Sequence, residues 1–164
     1  MGHNMIQFQF QLGGKHLNSN KWAFENGQIK GDLQLYVQGK VFFTDTHFNI
    51  VELSMQLGKW LEAIRHGFMR DFVYEPLLNF TMQEDGVQLT STGQQVEMKE
   101  LVPLEILTNA VTRYLHVLNV KLHEMDYFVK LDRYLHNNLS DNAKALMLFE
   151  QNEYDEAFAL FKKL

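Results

Sequence analysis

Seven histidines and no cysteine in a chain of 164 residues set the first question, because imidazole is the side chain best suited to move a proton or hold a metal near neutral pH. His116 and His123 stand seven residues apart, which places them on nearly the same face of a straight helix, with Glu124 and Asp126 close by in sequence. Zinc on a helix favours His at i and i+4 with a third ligand, and the HExxH arrangement is absent. The pair therefore reads as solvated or partly buried helix histidines. His47 with Asp45 and Asp32 offers an acid/base group just ahead of a helix, and His66 with Asp71 and Glu75 offers another just after it. Loops are polar chiefly because they are wet, and that reading takes precedence for both sets. No GxSxG elbow, P-loop, Rossmann glycine run or kinase signature occurs. The lack of cysteine removes disulfides, thiolate nucleophiles and Cys-based zinc sites together, and fits a reducing, cytoplasmic setting. No catalytic residue, metal ligand or cofactor is assigned.

A softer functional signal lies in the stretch Phe68-Met69-Arg70-Asp71-Phe72-Val73-Tyr74-Glu75, which mixes aromatic, Met and Arg residues with acids in the manner of interface cores. As an edge strand it turns half its side chains outward. Arg70, Asp71, Tyr74 and Glu75 are the candidate partner-binding residues, and the hairpin acids Glu84 and Asp85 add an acidic rim. The competing reading is that Phe68, Phe72 and Tyr74 fill a sheet–helix core.

The elements that must carry these residues follow from periodicity. Ile6, Phe8, Phe10 and Leu12 alternate with Gln7, Gln9 and Gln11, the period of two that makes a strand with one apolar face. Gly13-Gly14 turns the chain, Trp22 to Phe24 leads into the Asn26-Gly27 hairpin signal, and Ile29, Leu33, Leu35 and Val37 then form the apolar side of a second alternating run, closed by Gln38-Gly39. From Asn49 to His66 the period changes: Ile50, Leu53, Leu57, Trp60, Leu61 and Ile64 recur at helical spacing, with Asn49 and Glu52 set to form a capping box. Gly58 within that helix costs about 1 kcal/mol relative to Ala, which a close backbone approach by a sheet would offset. Short strands return with Leu78, Phe80 and Met82, the Asp85-Gly86 turn, and Val87 and Leu89; Val96 and Met98 suggest one more. Pro103 opens a helix in which Leu104, Leu107, Val111, Leu115, Leu118, Leu122, Met125 and Val129 continue at spacings of three and four, as one long helix or as two joined near Asn119 to Asp126.

These elements predict an α+β fold: an antiparallel sheet of about six strands with helices packed on one face, as a single domain over 1–138, then a helical hairpin tail over 139–164. In the tail, Ala145-Leu146, Leu148-Phe149, then Asn152 to Ala157, then Leu160-Phe161 resembles the turn and second helix of one tetratricopeptide repeat, over about 20 residues. An isolated repeat cannot bury its own face, so this tail should pack on the domain or on a partner chain. Residues Met1 to Met5 show no basic segment leading into an apolar one, and no apolar run is long enough to span a membrane. The net charge of -5 opposes attraction to nucleic acid and suits a basic protein surface better.

The order of parts, from the glutamine-rich first strand through the Asn-Gly hairpin, the helix Asn49-Ile50-Val51-Glu52-Leu53 to Leu57-Gly58 and Trp60-Leu61, the Glu75-Pro76-Leu77-Leu78 strand and the long later helix, resembles small bacterial proteins of the toxin-immunity type over residues 5–135. That resemblance implies a non-catalytic inhibitor that covers a toxin, with affinity set by a few buried anchors and an acidic surface that speeds encounter. The expected function is thus protein binding, with a homodimer compatible. A small hydrolase or metal-dependent enzyme built on the loop His and Asp residues is the second expectation, and a scaffolding subunit that assembles through its tail is the third.

Overall fold

A computed structural model of the chain describes residues 6–12, 30–74, 78–92 and 101–124, with isolated positions between 144 and 160, and omits the side chains of 47–49, 51 and 52. The elements are β1 (Ile6–Leu12), β2 (Lys30–Val37), β3 (Lys40–Asn49), α1 (Ile50–Arg65), β4 (Phe72–Tyr74), β5 (Leu78–Gln83), β6 (Gly86–Thr90) and α2 (Leu104–Glu124). The α+β class agrees with the sequence expectation, but the single sheet of about six strands does not form. Among the described residues six strands instead make two antiparallel sheets, ordered β1-β2-β3 and β4-β5-β6. The physical reason lies in α1, which follows β3 directly and packs against both β2 and β4, so that chain entering β4 starts a new sheet across the helix. Helices therefore do not lie on one face of one sheet. α1 joins the two sheets, and α2 packs on β1 and on α1.

In β1 and β2 the alternating pattern decides burial: Ile6 and Phe8 go inward, as do Leu33, Leu35 and Val37, while Gln7, Gln9 and Gln11 face out. The β2–β3 hairpin turns at Gln38 (φ 54°) and Gly39 (φ 80°), the pair of left-handed residues that a two-residue turn of matching twist requires. In β3 the alternation slips. Leu35 pairs with Phe43 and Tyr36 with Val41, so Phe42 is an extra residue at a bulge, and Phe42 and Phe43 are both buried although adjacent. Every member of the predicted α1 stripe, from Ile50 to Ile64, is buried, as is Gly58. The capping box lies on side chains outside the described residues.

α2 starts one residue later than expected, with the Pro103 carbonyl accepting from Leu107 N at 3.1 Å, and it buries Leu107, Val111, Tyr114, Leu115, Leu118 and Leu122. One hydrogen-bonded relay ties the helices together. Ser54 Oγ lies 2.7 Å from the Ile50 carbonyl and 2.7 Å from the Tyr114 hydroxyl. Phe8 stacks on the Tyr114 ring at 5.0 Å and Phe10 meets its edge at 5.6 Å, which fixes α2 across β1. In the second sheet Phe72, Phe80 and Trp60 form an aromatic cluster, with Trp60 to Phe80 at 5.1 Å and Phe72 to Phe80 at 5.0 Å. A two-way bridge between Val87 and Val102 extends that sheet past β6.

The expected Asn26-Gly27 hairpin, the Val96 and Met98 strand, the end of the long helix and most of the tail lie outside the described residues. Within the tail, Leu148 and Leu160 are helical and half-buried against the core, and the Leu148 carbonyl accepts from both Gln151 N and Glu153 N at the expected turn.

Candidate protein-binding surface

The end of α1 sets the site. Gly67 (φ 85°) donates to the Ile64 carbonyl at 3.0 Å and Phe68 N to the Ala63 carbonyl at 2.9 Å, the paired bonds of a Schellman cap, which only a residue free of a Cβ closes without strain. In such caps the residue after the glycine commonly folds back onto the helix. Phe68 does not: it is 68% exposed. Two further bonds hold the chain beyond it. Trp60 Nε1 donates to the Arg70 carbonyl at 2.8 Å, and the Asp71 carboxylate accepts from Met82 N at 2.8 Å, extending the β4–β5 pairing past the last ladder partner. Phe72 then turns inward onto Trp60 and Phe80 and anchors β4.

On this pinned backbone stand Phe68, Met69 and Val73, with Met69 55% and Val73 57% exposed. Large apolar side chains facing water on a held backbone suit a contact surface, because part of the ordering cost of binding is already met by the fold. Arg70 and Asp71 are exposed beside them. Since β5 pairs antiparallel with β4, its far end and the exposed turn Glu84-Asp85 come to the same end of the sheet as Met69 and Arg70. Four of the six candidate residues, Arg70, Asp71, Glu84 and Asp85, are thus brought to one end. Tyr74 is half-buried at the other end, opposite Leu78, and Glu75 lies outside the described residues. The strand expected over 68–75 is short, only Phe72–Tyr74, at an edge of its sheet. Of the three aromatics expected in the core, Phe72 is buried, Tyr74 partly so, and Phe68 is outside it. The sequence reading missed Phe68, Met69 and Val73 as the exposed set, although Gly67 directly after the last basic turn was a legible helix stop.

The histidine sets come out differently. His66 is exposed, and its Nδ1 lies 2.8 Å from the Glu62 carbonyl, where it caps the helix end, while Asp71 is occupied by Met82 N. Asp45 accepts from Thr46 N at 2.8 Å beside the second irregularity of the β2–β3 ladder. The His47 side chain is outside the described residues. His116 and His123 are both exposed on α2. Among the described residues no three His, Asp or Glu side chains gather as metal ligands would.

Among the described residues the fold is α+β, two three-stranded antiparallel sheets with α1 and α2 packed against them, and Phe68, Met69 and Val73 stand exposed along the chain from the end of α1 into β4. Residues 6–124 match a family described as a domain of unknown function, DUF7878, and the chain belongs to that family. No curated protein and no solved structure matches it. No helix among the described residues is long and apolar enough to cross a membrane.

Proposed function

We propose that the chain is a protein-binding domain whose contact surface centres on Phe68, Met69 and Val73, with Arg70, Asp71, Glu84 and Asp85 as its polar rim. The supporting observation is the exposure of three large apolar side chains on backbone held by the Gly67 cap, the Trp60 indole and the Asp71 carboxylate. Apolar anchors of this kind carry most of the energy of an interface, and a charged rim steers the encounter. The rim named here carries one cation and three acids, so it favours a basic partner. A toxin neutralised by a cytoplasmic, cysteine-free immunity protein is the sharpest form of this reading, and the resemblance over residues 5–135 supports it.

The test is co-purification from the native host with wild-type protein and with a Phe68→Ser/Met69→Ser/Val73→Ser variant, followed by a toxin-neutralisation assay. A partner retained by the wild type and lost from a folded variant is the expected outcome. Equal recovery with both proteins refutes the assignment of this surface.

A further inference from the structure

A second surface, on the other sheet, has different chemistry. A groove of about 590 Å³ runs between β1 and α2, lined by the consecutive residues Ile6 to Phe10 and by Ala110, Arg113, Tyr114, Val117 and Lys121. That five successive residues of a strand line it means the groove follows the strand's edge and not one of its faces, since a face would present alternate residues only. Among the described residues β1 pairs on one side alone, with β2. Its outer amides and carbonyls therefore border the groove as a row of ladder groups. The helix wall is a single stripe and runs a little longer than the strand wall: the rise from Ile6 to Phe10 is about 13 Å, and that from Ala110 to Lys121 is about 16 Å.

The floor is rigid, because Phe8 stacks on Tyr114 and the Tyr114 hydroxyl is held by Ser54. Val117 is 36% exposed, an apolar contact left over along the stripe. The described lining contains two cations, Arg113 and Lys121, and no acid, in a chain whose net charge is -5. No ion pair joins Arg113 to a described residue. Lys121 meets Glu124 at 3.1 Å, but that pair is more than half exposed and holds the lysine weakly.

We propose that this groove takes an extended segment of a partner protein as a fourth strand beside β1, a segment in which apolar side chains alternate with acids. Main-chain hydrogen bonds to the β1 edge supply affinity, as in other strand-addition sites. Alternate side chains of a strand share a face, so the helix-facing set is the acids: their stems lie against Ala110 and Val117 and their carboxylates reach Arg113 and Lys121, while the apolar set points to the opposite face and favours the extended conformation. This goes beyond the Phe68 patch, which lies on the other sheet, and stands or falls separately from it.

Full-length protein is titrated by fluorescence anisotropy with a labelled seven-residue peptide that alternates valine and glutamate. Controls are its valine–lysine counterpart and a copy with N-methylated backbone amides, which cannot form the ladder. The glutamate peptide binds at least about tenfold tighter than either control, Arg113→Glu/Lys121→Glu reverses the preference toward lysine, and the Phe68→Ser/Met69→Ser/Val73→Ser variant binds unchanged. Absence of binding, equal binding of the lysine or N-methylated peptide, or loss of binding in the Phe68 triple variant overturns the proposal. So does sedimentation of a dimer that the Arg113→Glu/Lys121→Glu change dissociates, since a second copy would then fill the groove.

Discussion

The bond between Ser54 and Tyr114 predicts an unequal pair of mutational effects. A serine hydroxyl has one proton, and Ser54 Oγ has the Ile50 carbonyl at 2.7 Å as an acceptor without a proton of its own. The Ser54 proton goes there, and so the Tyr114 hydroxyl must donate across the 2.7 Å contact between the helices. Ser54 is fully buried and Tyr114 is 2% exposed, so water replaces neither partner. In Tyr114→Phe one bond is lost while Ser54 keeps its carbonyl, a cost of about 0.5–1.5 kcal/mol. In Ser54→Ala a buried phenol donor is left without an acceptor, a cost of about 1–3 kcal/mol. The double variant removes both polar groups and should be more stable than Ser54→Ala alone, with a coupling of about 1–2 kcal/mol. Urea unfolding of the four proteins of the cycle measures this through the midpoint at constant slope. If Ser54→Ala costs no more than Tyr114→Phe, the donor assignment is wrong; if the two effects simply add, the bond itself contributes nothing to stability.

Two further predictions rest on single residues. Burial pushes the Tyr114 phenol well above its ordinary range. Its folded value is raised, so its stabilising contribution is complete below the unfolded value near pH ~10 and is lost as pH rises beyond it, by about 1.4 kcal/mol per unit. Tyr114→Phe should flatten the alkaline fall in urea midpoint by about one proton, and an unchanged slope would contradict the burial argument. At Gly86 (φ 155°) an added Cβ would meet the Val102 carbonyl oxygen and Leu101 Cβ, both at 2.9 Å. Gly86→Ala should therefore cost about 2 kcal/mol or more and speed amide exchange at Val87 and Val102, whose mutual bonds lie next to it; full retention of both signals would show that the segment yields freely.

Much of this protein is written locally. Alternation in Ile6 to Leu12 and Leu33 to Val37, the helical stripe from Ile50 to Ile64, and the turn residues Gln38-Gly39 each carry their own structural instruction, because strand, helix and turn depend on side-chain spacing and backbone freedom over a few residues. Composition alone also excluded thiol chemistry and argued against polyanion binding.

What tertiary structure decided is how those pieces meet. β3 broke the period of two because the bulge at Phe42 reset the register against β2, so two adjacent phenylalanines could both point inward. The six described strands divide into two sheets, and α1, which follows β3 directly, packs against both β2 and β4. Phe68 looks like a core residue by type, and only the Gly67 cap and the inward turn of Phe72 leave it in water. Arg113 and Lys121 read as ordinary solvated helix charges until α2 is laid along the edge of β1, more than a hundred residues away in the chain. Spacing along a chain specifies which side chains share a face; which faces then meet depends on contacts between distant segments, and no local pattern records those.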